Sequence, residues 1–442
     1  MKRSTFYFET LGCPKNLVDT DSISVLLHEA GRDQVGTPEA ADVLIVNTCG
    51  FIEPAREESI EILQQLAGQK NPQQLLIAAG CMAERTPQRI LAEVPEVDGV
   101  ISTRRWREIG KLLEQLESET DKQKPVLIGS PAGSPGVSVV PRTAEQGASA
   151  YLKIADGCRR SCAYCSIPLI KGTASSRSVE DITADAVRLQ QRGVREIVLI
   201  AQDVTDYGID LGLKDGLPGL LEALLPNIPD VDWVRLMYAY PDRVSERLVD
   251  LMAFNPQLIP YLDIPLQHAD SEVLRRMRRP RDIESTIQFL YSMREKMPDL
   301  VLRTTFIVGF PGETDPAFSR LVDLVEEELF DHVGVFPYFF EPGTPAEKDG
   351  DPIPDEVKQE RLEHLMLLQQ EISLHKHQAL VGTNLDVLIE GVGDGISVGR
   401  SYRDAPEVDG VVILTEEVDP GEIKPVLITG ARPYDLVGQL AN

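Results

Sequence analysis

The chain has 442 residues, 42 % of them hydrophobic and 26 % charged, with a formal net charge of −26. Nucleic-acid binders neutralise phosphates with Lys and Arg, so 44 basic against 70 acidic residues weigh against a polyanionic partner and toward a basic one. No run approaches the roughly 18 apolar residues that mark a membrane span. The N-terminus has no apolar core followed by a small-residue cleavage site, so a cytoplasmic protein is expected, whose cysteines serve as ligands rather than disulfides.

Residues 1–124 read as α/β. Apolar runs at 6–11, 43–47 and 75–79 have the character of buried strands, with helical patterns at 17–30, closed by Gly31, and at 54–66. Strand–helix alternation implies a doubly wound parallel sheet. Residues 125–149 are expected to be a linker, because the stretch 129–136 is rich in Gly, Pro and Ser and lacks periodicity. A second α/β series covers 150–375. Its strands are expected at 151–155, 196–200, 233–237, 262–266, 303–308 and 332–338, which makes a partial barrel of six βα units. A long helix over 354–381 is expected to pack one apolar face, Val357, Leu365, Leu368 and Ile372, on that barrel. Residues 376–442 carry short β runs at 385–389, 411–414 and 426–428, the pattern of a small OB-like β-barrel.

The six cysteines fall into two sets of three. Gly157-Cys-Arg-Arg-Ser-Cys-Ala-Tyr-Cys165 places Cys158, Cys162 and Cys165 in one loop after a strand. Thiolates suit iron–sulfur clusters and zinc, and three ligands leave one coordination position open, the mark of a catalytic site. The competing reading is a zinc site completed by a distant His or Cys. Cys13, Cys49 and Cys81 each lie at or just past a predicted strand end, and parallel strands share one such edge, so three thiols there are expected to converge. The alternative is three unrelated buried cysteines.

Cys-x3-Cys-x2-Cys with Tyr164 before the last cysteine resembles the radical S-adenosylmethionine signature. With three cysteines ahead of it and a β-barrel behind, nearly the whole chain resembles the methylthiotransferases: an N-terminal methylthiotransferase domain, a radical core and a C-terminal TRAM domain. Gly12-Cys-Pro-Lys-Asn-Leu-Val-Asp19 and Gly399-Arg-Ser-Tyr-Arg-Asp-Ala-Pro-Glu-Val-Asp-Gly410 resemble the branch that modifies an aspartate of small ribosomal subunit protein twelve. Acidic Asp404, Glu407 and Asp409 suit a basic protein substrate. The chain departs from the family at Ser166 and at Lys171, where an aliphatic residue and Arg are common.

The resemblance implies two 4Fe-4S clusters, one on Cys158, Cys162 and Cys165 that cleaves S-adenosylmethionine to a radical, the other on Cys13, Cys49 and Cys81 that supplies sulfur. The product implied is 3-methylthioaspartate. Implied partners are small ribosomal subunit protein twelve, free or within the ribosome, and a flavodoxin- or ferredoxin-type electron donor, with no membrane. Further contacts to the cofactor are expected from Gln202, Gln267 and Arg303 at barrel strand ends, with Asp203 or Tyr207 facing the substrate. The alternatives are a tRNA methylthiotransferase and a non-catalytic, metal-stabilised RNA- or ribosome-binding protein.

Overall fold

The computed structural model describes residues 4–118, 124–129 and 140–441. The chain forms two compact units. One comprises Met1–Ala144, Ala155–Arg160 and Cys165–Asp181; the other comprises Glu145–Ile154, Ser161–Tyr164 and Ile182–Asn442.

In the first unit the chain runs β1 (Thr5–Thr10), α1 (Pro14–Glu29), β2 (Asp33–Gln34), β3 (Val43–Thr48), α2 (Glu53–Gln69), β4 (Leu75–Gly80), α3 (Cys81–Arg85), α4 (Pro87–Glu93), β5 (Gly99–Ser102), α5 (Ile109–Glu117) and β6 (Val126–Leu127). All six strands are parallel, in the order β2-β1-β3-β4-β5-β6. Because side chains alternate across a strand, Val43 and Ile45 enter the core that contains Leu27 and Leu112, while Leu44 and Val46 enter the one that contains Ile60 and Leu63. Both faces of β3 and β4 are therefore buried, which explains their unbroken apolar runs. Each fully buried Val, Leu or Ile stabilises the fold by about 1.5–3 kcal/mol. Glu57, Glu58 and Glu61 lie on the solvated face of α2.

Residues 125–149 contain β6, which extends the first sheet, and β7 (Thr143–Gln146), which edges the second. Of the Gly/Pro/Ser-rich stretch 129–136, only Gly129 lies among the described residues. After β8 (Ser149–Lys153), β9 (Ala155–Asp156) pairs with β10 (Ser175–Ser176) across α6 (Ile167–Lys171).

The second unit continues through α7 (Val179–Gln191), β11 (Glu196–Ile200), α8 (Gly216–Leu224), β12 (Trp233–Leu236), α9 (Glu246–Phe254), β13 (Leu258–Asp263), α10 (Ser271–Arg276), α11 (Ile283–Lys296), β14 (Val301–Val308), α12 (Asp315–Glu326) and β15 (His332–Pro337). Six parallel strands, β8 and β11–β15, form an open sheet with β7 at its edge, the expected partial barrel. One strand differs from its expected position. The run 262–266 is not a strand along its length: β13 ends at Asp263, Pro265 has no N–H for a ladder, and Gln267 turns to φ +78. Gln267 then makes one isolated parallel bridge to Phe306.

The helix α13 (Asp355–Leu380) also differs. Its buried face comprises Lys358, Arg361, Leu365, Gln369, Ile372, Ser373 and His377, so it packs largely through polar groups. Gln369 donates to the Asp331 carbonyl at 3.0 Å, and Arg361 pairs with Asp315 at 2.7 Å. Beyond it, β16 (Asn384–Gly393), β17 (Ile396–Ser401), β18 (Val412–Leu414), β19 (Ile423–Ala431) and β20 (Leu436–Leu440) close a five-stranded barrel around Val387, Ile389, Val412, Val426 and Ile428. Strands β17 and β20 contain Gly, Ser, Arg and Gln and lack a simple apolar run, so periodicity alone does not find them.

The terminal barrel is joined to the N-terminal ends of the parallel strands by buried charges. Arg400 donates to Glu196 at 2.6 Å, to Ser149 at 2.8 Å and to the Asp404 carbonyl at 2.8 Å. Arg235 meets the other Glu196 oxygen at 2.7 Å and lies over the Tyr261 ring at 4.4 Å. Tyr261 donates to Asp409 at 2.6 Å. The acidic motif 399–410 therefore does not present all its carboxylates to a partner. Asp404 and Asp409 point inward, and Glu407 meets Gln146 and the Tyr151 hydroxyl.

Burial opposes ionisation of Glu196, but Arg235 and Arg400 overcome it and hold the carboxyl at about 2. Its folded value is depressed, so its contribution is complete above about pH 4.3, the ordinary Glu value, and is lost as pH falls toward about 2. Glu196→Gln leaves Arg235 buried against a neutral group and Arg400 with Glu390 as its one remaining carboxylate. It is expected to cost about 3–5 kcal/mol, read as a lower Tm at neutral pH. The difference from the parent should shrink in melts taken below pH 4.3.

Candidate functional site

Parallel strands deliver their C-terminal ends to one edge. In the order β2-β1-β3-β4 the connections from β1 and β3 diverge, and ligands bind in the crevice at such a reversal. Cys13 follows β1, Cys49 follows β3, and Cys81 opens α3 directly after β4. The three go from exposed through half-buried to buried.

The local backbone is shaped around these thiols. Gly12, at φ +86, packs so closely that a Cβ would stand 2.9 Å from Cys49 Cβ and 3.0 Å from its Sγ. A Cβ on Gly50 would stand 2.7 Å from the Met82 nitrogen. Asn16, buried in α1, is the hub. It donates to the Leu11 carbonyl at 2.7 Å and the Thr48 carbonyl at 3.3 Å, and its Oδ1 accepts from the Cys81 thiol at 3.7 Å. Arg85 donates to the carbonyls of Gly50 and Phe51 at 3.2 and 3.1 Å. Ser59 ties Cys49 through both its N–H and its carbonyl, each at 3.1 Å.

Burial raises the Cys49 thiol, and the Phe51 N–H only partly opposes it. Burial pushes the Cys81 thiol up to about 12 against the pull of Lys171. Burial works against the Lys171 charge too, but Asp19, then Cys81, holds it protonated. The Lys171–Asp19 pair spans 2.7 Å with both side chains buried, and Thr103 accepts from the same ammonium. Ser166 is buried and donates to the Phe51 carbonyl at 3.0 Å. Both departures from the family pattern are thus ties within the first unit.

The loop 158–165 alternates between units: Cys158 and Cys165 belong to the first, Cys162 to the second. In the first unit the Cys158 N–H donates to the Gly172 carbonyl at 3.0 Å, and the Arg160 N–H to the Cys158 sulfur at 3.4 Å. In the second, the Ala163 N–H donates to the Met277 carbonyl at 2.8 Å, and its carbonyl accepts from Ala346 at 2.9 Å. Arg279 donates to Cys162 Sγ at 4.0 Å.

The remaining expected contacts divide. Gln202 follows β11, and its Oε1 is buried without a hydrogen-bond partner, an acceptor left open at the strand ends. Gln267 is fixed by its own backbone, which donates to the Thr305 carbonyl and accepts from Ile307, each at 2.8 Å. Arg303 is the third residue of β14, about 16 Å of strand before its end. Its fork meets Asp263 at 3.2 Å and Asp409 at 3.3 Å, so it serves the joint with the terminal barrel rather than a cofactor carboxylate. Asp203 caps a turn by accepting from Thr205 at 3.0 Å, and Tyr207 is buried. His268 and Glu313 face one another at 3.5 Å inside the core.

Among the described residues, no three His, Cys, Asp or Glu side chains form the shell of a single metal ion. A cluster of several irons needs instead three soft thiols at its corners and room between them. Cys13, Cys49 and Cys81, with glycine where a Cβ would press on a thiol, have that chemistry.

Three family models match in chain order: residues 5–102 fit Uncharacterized protein family UPF0004, 152–325 the Radical SAM superfamily, and 381–441 the TRAM domain. The chain is 47 % identical to the ribosomal protein uS12 methylthiotransferase RimO of Roseiflexus sp. (strain RS-1), covering 99 % of this chain and 97 % of that one. It is 46 % identical to the protein of the same name from Chloroflexus aurantiacus, covering 98 % and 99 %. Among solved structures it resembles the radical S-adenosylmethionine methyltransferase TsrM of Kitasatospora setae, with a TM-score of 0.58 at 12 % identity over 90 % of this chain and 77 % of that one, a likeness of fold.

Gly12→Ala is expected to press on the Cys49 thiol and disturb the first cysteine set alone. Iron bound after anaerobic reconstitution should fall to about half that of the parent, with 5′-deoxyadenosine still formed from S-adenosylmethionine.

Proposed function

Because the chain belongs to the ribosomal protein uS12 methylthiotransferase family, we propose that it places a methylthio group on the β-carbon of an aspartate of uS12. The single observation that carries this reading is the pair of three-cysteine sets on a chain that matches such enzymes from end to end. A radical S-adenosylmethionine core works with at least one iron–sulfur cluster and S-adenosylmethionine. In this reading Cys158, Cys162 and Cys165 hold that cluster, and Cys13, Cys49 and Cys81 hold a second. When bound, these groups supply the oxidising power to open an unactivated C–H bond and the sulfur that replaces the hydrogen.

The protein's part is ligation, orientation and dryness. Each set of thiols must lose its protons on loading, and Lys171 beside Cys81 favours that loss. Arg85 and Ser59 fix the backbone that aims Cys49. The open Gln202 oxygen is suited to accept from the amino group of S-adenosylmethionine, and the rigid Gln267 backbone to wall the same space. Buried Val204 and Tyr207 keep water from that strand end.

Substrate choice follows charge. Asp386, Asp394, Glu416, Glu417, Asp419 and Glu422 are exposed on the terminal barrel. That surface repels phosphates and favours a basic ribosomal protein. A flavodoxin- or ferredoxin-type protein delivers the electrons. Among the described residues no helix is long and apolar enough to cross a membrane. Six cysteines read as metal ligands rather than disulfides fit the reducing cytoplasm.

Cys49→Ala is expected to form 5′-deoxyadenosine but no methylthio product, and Cys162→Ala to form neither, measured by chromatography of the nucleoside and mass spectrometry of uS12. Methylthio product from Cys49→Ala would remove the sulfur-donor role, and modified tRNA with unmodified uS12 would remove the substrate.

A further inference from the structure

The second unit contains a cation aimed at one of the six thiols by a strained helix end. Helix α10 closes in a Schellman motif: the Arg279 N–H bonds the Leu274 carbonyl at 2.8 Å, and the Arg278 N–H bonds the Arg275 carbonyl at 3.2 Å. That motif requires a left-handed residue, usually Gly, and here Arg278 holds it at φ +56. A non-glycine residue in this region is strained, and such strain persists where the surroundings fix it for a purpose. Arg275 and Arg276 pair with Glu272 at 2.6 and 3.3 Å on the outside of the helix. The reversal at Arg278 turns Arg279 the other way.

There, the Arg279 guanidinium lies 4.1 Å over the Tyr240 ring, donates to the Pro265 carbonyl, and donates to Cys162 Sγ at 4.0 Å. Its Nε is buried with no hydrogen-bond partner. The Ala163 N–H, beside Cys162, bonds the Met277 carbonyl at 2.8 Å, so the thiol and the cation are fixed to the same turn. The geometry therefore gives one cysteine of the radical loop a charged hydrogen-bond donor that serves no carboxylate.

We propose that Arg279 is a positioning residue that sets the reduction potential of the cluster on Cys158, Cys162 and Cys165, an inference that rests on the ligand assignment above. A hydrogen bond and a positive charge at a cluster sulfur stabilise the reduced, more negative state and raise its potential. Tyr240 supports the guanidinium from below through its ring face and keeps it oriented. The effect is an easier one-electron reduction by the donor protein.

The test is an EPR-monitored redox titration of the full-length, anaerobically reconstituted chain. With two clusters present, two one-electron waves are expected. Arg279→Gln should move one wave to lower potential by about 59 mV or more, at least tenfold in the reduction equilibrium. The other wave and the bound iron should stay as in the parent. Two unmoved waves with full iron would overturn the proposal. If the Gln variant does not retain iron, Arg279→Met decides. It keeps an unbranched side chain without charge or N–H, so a wave shifted to lower potential supports the proposal and a wave identical to the parent's refutes it. Cys162→Ala tests the underlying assignment separately: persistence of both waves would mean that Cys162 is no ligand, whatever Arg279 does.

Discussion

A charge removed from water must meet an opposite charge or cost several kcal/mol, and this constraint organises the molecule. Cations are scarce in a chain of net charge −26, so the places where they are buried are informative. Arg400 and Arg235 share Glu196, and Arg303 bridges Asp263 and Asp409, at one end of the parallel strands. Lys171 meets Asp19 beside Cys81. Arg279 lies beside Cys162. The first group seals the joint to the terminal barrel. The last two stand by cysteine thiols, one from each set of three. Along the second unit's strands the charged joint occupies the N-terminal ends, and the unpartnered Gln202 oxygen lies at the opposite end of β11.

What could be read from the residues depended on how many faces each element buries. β3 and β4 are buried on both sides, so their apolar runs are continuous and their ends, with Cys49 and Cys81 just beyond, lie where expected. β8, β11 and β12 of the partial barrel were legible for the same reason, while β14 and β15 alternate in burial and were found by their β-branched and aromatic residues. β13 was displaced because Pro265 and left-handed Gln267 end the ladder inside an apolar run, and hydrophobicity does not register a missing N–H. β17 and β20 were lost because their buried positions are occupied by Ser397, Gly399, Arg400, Ser401 and Gly438 rather than by an apolar run.

Polar residues were the harder case, because sequence reports charge and not direction. Asp404 and Asp409 read as part of an acidic face, yet both turn inward, to Ser401 and to Tyr261 and Arg303. Arg303 read as a cofactor fork, yet its place early in β14 points it to that same joint. The buried face of α13 follows the helical period in position but not in polarity, since Lys358 occupies it paired with nearby Asp351 and Asp355, and Arg361 and Gln369 occupy it with partners supplied by distant segments. No pattern rule sees such partners before the fold exists.

The acidity of the chain then acquires a narrower meaning. The inward carboxylates are neutralised by Arg303, Arg400 and their neighbours, so they contribute little to the field outside. What remains to steer a partner is the exposed set, including Asp386, Glu416, Glu417 and Asp419 on the terminal barrel. Long-range attraction of a basic protein depends on exposed carboxylates such as these, and it weakens with ionic strength because exposed charges are screened while buried pairs are not. Holding the architecture together and giving the surface its negative charge thus fall to different carboxylates of the same small barrel.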